Sequence, residues 1–405
     1  METAQAGPNA TKRARGSHPR RGADTLPELS TAHARAILLR AAGFDRSWPA
    51  GTDGVVALLD ALEWIQLDPI DRVGQNADLV ASARCAGLVR GQVHRALAGR
   101  SFEHFAKERC ILHPRHFAHY RGQAVETPWW RHSERMARLP ASLLAEVLGE
   151  VRERGPLPVD RLSPRGKVSP MDWAGWKSTS RAEVLALEVL WTRCEVVVSG
   201  RDARGRRVVD LPERALPPEA LTAVPVGSFA ETMLLARVRS CGLLSRNSGP
   251  TWSMLADART DGTVERLLAA GTLAAVRVGR RPYLTLPESL VLPVHDVLHA
   301  ASTTSAVLGP LDPLLWNRDL VRDAFGFDYL WEVYKPAAQR SWGYYVCPLL
   351  VGGELAGRFE ARRDGGILRV ERTWGNLTGA EPALSRLAAF NGCEGFDLAG
   401  AQRSA

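Results

Sequence analysis

The chain has 405 residues, too many for one ordinary hydrophobic core and enough for two to four compact units. Its apolar share of 45% and charged share of 24% are those of a soluble globular protein. No run approaches the roughly 18 apolar residues of a membrane span, and the N-terminal stretch lacks the apolar core of a secretory signal. The net charge is +8 and arginine far outnumbers lysine, a balance that suits a polyanionic partner such as DNA or RNA. A GC-rich coding sequence would produce the same excess.

Residues 1–25 are rich in Gly, Pro, Arg and Ala and cannot bury enough apolar surface to fold alone. They read as a disordered basic tail whose Arg13, Arg15, Arg20 and Arg21 either touch phosphates or do nothing. Apolar spacing then predicts amphipathic helices over residues 31–42 and 54–65.

The tripeptide Gln66-Leu67-Asp68 follows, with Pro69 after it. Proline biases the residue before it toward extended geometry, in which side chains alternate, so Gln66 and Asp68 share one face while Ile65 and Leu67 take the other. A carboxamide and a carboxylate side by side can hold one water: Asp68 accepts its proton or steadies developing positive charge, and Gln66 fixes its position. A turn-capping role for Asp68 fits the tripeptide equally well.

Further along, His113 and His116 are ordinary polar or packing residues rather than metal ligands. The six cysteines are scattered without CxxC or Cys/His spacing, which indicates reduced thiols and neither a zinc nor an iron–sulfur site. No Walker loop, GxSxG elbow, HExxH motif or kinase set is present.

Ser180-Arg-Ala-Glu183 has the form of a capping box and predicts a helix carrying Val184, Leu185, Leu187 and Val189. Two β-branched runs, 196–198 and 208–209, then flank a Gly/Arg/Asp turn, the helix-then-hairpin layout of a winged helix. The theme returns around a short helix ending at Gly271 and two strands about Gly279-Arg280-Arg281-Pro282. Arg204, Arg206, Arg207, Arg280 and Arg281 stand at the two wing tips, where phosphates could be gripped. A solvated turn explains either wing taken singly. The last hundred residues alternate in DYLWEVYK, WGYYVCPLLV, ELAGRFEAR and ILRVERTW, with turns at Gly352-Gly353 and Asp364-Gly365-Gly366. They predict a small antiparallel, barrel-like β domain closed by a helix over 381–390.

The segment IQLDPIDRVGQNADLVASARCAG resembles the hallmark of the crosslink-repair DNA glycosylases of the AlkZ/YcaQ type, in the Gln-aliphatic-Asp version of the AlkX-like branch. Similarity extends over nearly the whole ordered chain. FEHFAKERCILHP resembles a family segment written around Glu-Tyr-Trp-Ala-His-Glu-Ala, and MDWAGWKSTSRAEVLALEVLW, which includes Lys177, resembles the second winged-helix region. Near the C-terminus, DPLLWNR, FGFDY, YKPAA and WGYYV come in family order. One departure stands out: Lys107 occupies the place of the family's histidine, which puts that residue's role in question.

The resemblance implies an α+β, mainly helical fold: winged-helix units over 26–145, 146–222 and 223–300 and a C-terminal β domain over 301–405. It also implies a monofunctional glycosylase that hydrolyses the N-glycosidic bond of N7- or N3-alkylated purines and unhooks interstrand crosslinks. Asp68 and Gln66 would be its catalytic pair, with Lys107, Lys177 and the wing arginines on DNA. Its partner would be double-stranded DNA, with no metal or cofactor, and the protein is expected to be a cytoplasmic, nucleoid-associated monomer. A non-enzymatic winged-helix regulator or architectural protein is the alternative.

Overall fold

The computed structural model describes residues 26–121, 131–169 and 180–404, so the N-terminal tail and Lys177 lie outside the described residues. The first strand, β1 (Glu28–Leu29), pairs in parallel with Ala274–Val278, almost 250 residues away in the chain. Ser30 caps α1 (Thr31–Ala41) by accepting from His33 N at 3.1 Å. The buried face of α1, with Ile37, Leu38 and Leu39, shares a core with Val276, Tyr283, Val297, Leu320 and Phe325. The chain's opening segment, grouped with 26–145 in the sequence, thus packs against residues of 223–300 and beyond.

Helix α2 (Gly51–Leu62) starts earlier than its apolar spacing predicts and ends three residues before Ile65. Gly54 is obligatory there, because an added Cβ would stand 2.0 Å from the Pro49 carbonyl oxygen. Residues Trp64–Gln66 form strand β2, so Ile65 belongs to a sheet, not to the helix.

Both hairpins expected as wings are present. Strands Val197–Arg201 and Arg207–Asp210 pair antiparallel behind helix Ala182–Thr192, and Leu157–Pro158 adds a third strand. Strands Ala274–Val278 and Arg281–Thr285 follow helix Thr263–Ala269, with Gly271 just past its end at φ 70°. The capping box expected at Ser180 is not formed. Ser180–Arg181 pair with Lys167–Val168, and the Glu183 carboxylate accepts from Arg165 N at 2.9 Å instead of reaching back to Ser180. A full capping box sits at Ser228 and Glu231, opening Phe229–Cys241.

The C-terminal region departs from expectation in two respects. DYLWEVYK is not a strand: Lys335 N donates to Glu332 O across a turn, and the Glu332 carboxylate takes Lys335 Nζ and Trp342 N, each at 2.7 Å. Its alternation reflects Tyr329 and Val333 anchoring in the interior while no neighbouring strand pairs with them. The sheet is also mixed. Ser305–Val307, Val346–Val351, Glu354–Asp364 and Ile367–Gly375 run antiparallel, but Gly395–Asp397 and Gln402–Ser404 both add in parallel to Ile367–Gly375. Among the described residues no pairing closes it, so it is an open curled sheet and not a barrel. The closing helix Glu381–Phe390 lies where the sequence puts it, sharing a core with Val55, Leu58 and Leu79.

One buried ion pair fastens these layers. Arg84 forms a bidentate pair with Asp312, Nη1–Oδ2 at 2.7 Å and Nη2–Oδ1 at 2.9 Å, with both side chains wholly inaccessible. The same guanidinium donates to the Ala42 and Val80 carbonyls and stacks 4.1 Å over Phe44. Every charge is answered, as a buried pair requires. Asp312→Ala strands the Arg84 cation and should cost about 3–5 kcal/mol in urea denaturation. A loss below about 1 kcal/mol would show that the pair does not hold these layers together.

Candidate active site

The site begins where α2 stops. Glu63 takes the left-handed conformation, φ 66°, and turns the chain directly into β2. That is an uncommon geometry for a side chain of this size, and its carboxylate is held on two sides. Arg239 donates to it from helix Phe229–Cys241, and His116 Nε2 stands 2.9 Å away. Burial alone would push the Glu63 carboxyl up, but His116 and Arg239 outweigh it and hold the group down at about 2. The Glu63 carbonyl accepts from His113 N at 2.8 Å, and Ser240 Oγ donates to the Leu62 carbonyl.

Strand β2 then pairs with β4 (Glu108–Leu112), placing Gln66 opposite Cys110, and β4 pairs with β3 (Phe102–Ala106). Leu67 N donates to Arg109 O at 2.8 Å, carrying the ladder one residue beyond the strand. Lys107 sits at the tip of the β3–β4 hairpin, and Glu108 beside it has φ 60°.

Gln66 is buried. Its main-chain carbonyl accepts from Asn76 Nδ2 at 2.8 Å, and its side-chain Oε1 accepts from Lys107 Nζ at 3.1 Å. Lys107, expected on the DNA-gripping surface, is only 7% exposed and sits 5.2 Å over the Trp316 ring. Asp68 is half-buried, and its Oδ1 accepts from Ile70 N at 2.8 Å, capping the Pro69 turn. Burial raises the Asp68 carboxyl above its ordinary value, partly offset by the Ile70 N–H. Turn capping and a basic carboxylate therefore coexist in one group, because the second oxygen is not used by the cap. Burial, and after it the Asp68 charge, pushes up the Tyr334 hydroxyl, and Tyr334 is 84% exposed.

The two histidines do not form a metal centre. His116 serves Glu63, His113 accepts from Arg115 N at 3.1 Å, and among the described residues no group of three His, Cys, Asp or Glu could hold an ion.

Of the wing arginines, Arg204 and Arg280 are exposed. Arg207 is half-buried, and burial together with the nearby Arg207 charge lowers the Arg109 guanidinium. Arg206 is engaged by Asp202 and Asp160, and Arg281 by Asp323 at 2.7 Å and Asp319 at 3.5 Å. A groove of about 780 Å³ separates the first wing, at Arg201, Asp202 and Ala203, from Asp71, Gln75, Arg90 and Arg95 beyond Asp68. A second cavity of about 400 Å³ lies between Lys107, Trp316 and Arg318 and, on the second wing, Arg281.

The sequence did not reveal the neighbours of Gln66. Lys107 was visible only as a departure from a family segment, and Glu63, Arg239 and Tyr334 carried no signal. Each reaches the site from a different element.

The family model of the AlkZ-like DNA glycosylases matches residues 59–390. The fold is similar to that of the DNA glycosylase AlkZ of Streptomyces sahachiroi, with a TM-score of 0.56 at 15% identity over 93% of this chain and 100% of that one.

The Glu63 anchor has a pH signature. A carboxyl held at about 2 when folded contributes fully above its unfolded value and loses that contribution as pH falls toward 2. Glu63→Gln should therefore destabilise by about 3 kcal/mol near neutrality, with the gap to wild type closing as pH drops below about 4. Urea titrations at several pH values measure this. A gap that does not change with pH would remove the ionised carboxylate from the account.

Proposed function

Because the chain belongs to the AlkZ-like DNA glycosylase family, we propose that it hydrolyses the N-glycosidic bond of N7-alkylguanine and N3-alkyladenine in double-stranded DNA. The observation that carries this reading is Asp68: a half-buried carboxylate with raised basicity, two residues beyond the anchored amide of Gln66 that ends β2.

Alkylation at N7 or N3 makes the base cationic, so it departs with the electron pair of the C1′–N bond and leaves neutral. The deoxyribose develops oxocarbenium character, which the Asp68 carboxylate stabilises, as carboxylates do in other glycoside cleavage. Water adds to C1′ and gives its proton to Asp68, while Gln66 orients that water. No step requires a metal or an organic cofactor, and the chemistry ends at an abasic site, so the enzyme is monofunctional.

Three winged-helix units are the architecture we infer, with the exposed wing residues Arg204 and Arg280 on phosphates, which carry no sequence information. Arg206 and Arg281, already paired with carboxylates, would instead hold the wings in shape. A base tethered to the opposite strand cannot rotate fully into a closed pocket. The open groove beside Asp71 and Gln75 suits such a lesion, and we extend the proposal to unhooking of interstrand crosslinks. The enzyme would act as a monomer on cytoplasmic, nucleoid DNA.

Duplex DNA carrying N7-methylguanine should release free N7-methylguanine and retain an intact abasic strand that borohydride does not trap on the protein. The rate should rise as pH passes upward through the Asp68 pKa, since the ionised carboxylate is the working form and its value lies above the ordinary 3.8. Tight binding without base release from this or a mustard-crosslinked duplex would instead indicate a non-enzymatic DNA binder.

A further inference from the structure

The hairpin carrying Lys107 has no part in the chemistry so far, yet it delivers a lysine into the interior beside Gln66. An ammonium has three N–H donors and no acceptor, whereas a carboxamide has one accepting and one donating end. Lys107 Nζ approaches Gln66 Oε1 at 3.1 Å, and among the described residues Gln66 Nε2 has no hydrogen-bond partner. A charged lysine at this distance is compatible with only one of the two amide orientations. We propose that Lys107 is a positioning residue that sets which end of the Gln66 amide faces the substrate: its ammonium holds the oxygen and turns the Nε2 donors away from the hairpin tip.

This inference rests on the glycosylase reading for its catalytic consequence but not for its geometry. The amide so held donates to the oxygen of the attacking water, leaving that water one proton for Asp68 and a lone pair for C1′. The flipped amide would instead accept a hydrogen bond from the water, through the proton that Asp68 does not take, and so hold it in a different orientation to C1′.

The surroundings make the lysine's charge adjustable. Its neighbours are Glu108 and Cys110 on its own hairpin, Arg237 on helix Phe229–Cys241, Arg318 on helix Arg318–Phe325, and the Trp316 ring. Arg281, Asp319, Tyr283 and Tyr329 line the rest of the cavity it borders. Burial, reinforced by Arg237 and Arg318 and opposed by Cys110 and Glu108, pulls Lys107 down to about 8. The cavity of about 400 Å³ gives solvent a path to that proton. Below this value the cation enforces one amide orientation. Above it, the neutral amine can accept as well as donate, and the constraint is lost.

The test compares wild type with Lys107→Met, which keeps an unbranched apolar stem and removes the ammonium. In protein labelled with ¹⁵N at glutamine, the Gln66 side-chain amide of the wild type should shift through one titration centred near pH 8. In Lys107→Met it should not. Single-turnover base release by Lys107→Met at neutral pH should fall at least about 10-fold with unchanged DNA affinity. The wild-type rate should decline above pH 8 toward that of the variant, which lacks this limb. Lys107→Arg, a donor that does not titrate in this range, should restore the rate and remove the decline. A Gln66 resonance that does not titrate in wild type, or titrates alike in Lys107→Met, would overturn the proposal whatever the enzyme's activity. Failure of the wild type to release base, with the expected Gln66 titration intact, would count against the glycosylase reading and not against the role of Lys107.

Discussion

The carboxylate of Glu63 performs a structural task on which the geometry of the candidate site depends. A helix that ended in the usual way would carry residues 64–66 onward as another turn, as the apolar spacing of this stretch suggests. The left-handed turn at Glu63 instead converts helix to strand within one residue, and the contacts to Arg239 and His116 hold a conformation that the backbone disfavours. Arg239 comes from a helix 176 positions away in sequence. The turn that leads into Gln66 and Asp68 is therefore held by a contact between distant parts of the chain.

A similar principle governs the positive charge. A net charge of +8 suggests a surface crowded with free cations, yet many arginines are spent internally. Arg84 is sealed against Asp312, Arg237 is fully buried with its guanidinium on the Thr251 and Ser253 carbonyls, and Arg206 and Arg281 brace their wings. The planar, multiply donating guanidinium suits such junctions better than an ammonium. Other arginines remain exposed, among them Arg204 and Arg280 at the turns of the two hairpins.

Much of this was legible in the sequence where local rules operate. Glycine pairs marked the hairpins at 352–353 and 365–366, Gly271 marked a helix end, and the closing helix over 381–390 was read to the residue. Pro69 and the alternation around Gln66 foretold an extended segment. Failures occurred where tertiary partners overrode local preference. Ser180 was drawn into a strand with Lys167–Val168 rather than a cap, the alternating DYLWEVYK found no strand to pair with, and α1 joined a core built mostly from residues beyond 240. The site was half legible for the same reason. A dipeptide motif can be read along the chain, but the Lys107–Gln66 bond joins residues 41 positions apart. A lysine beside an unremarkable hairpin gives no sign that it will be buried against an amide.

In the proposed reaction the Asp68 charge, not merely its hydrogen-bonding shape, drives breakage of the glycosidic bond. Single-turnover release of N7-methylguanine by Asp68→Asn, with duplex affinity measured in parallel, tests it most directly. The asparagine oxygen can still accept from Ile70 N, so the Pro69 turn should survive the substitution. The account predicts a rate lower by about 10²–10⁴-fold with affinity nearly unchanged. A folded variant that excises the base within about threefold of wild type would contradict it, and the carboxylate would remain only the cap of a turn.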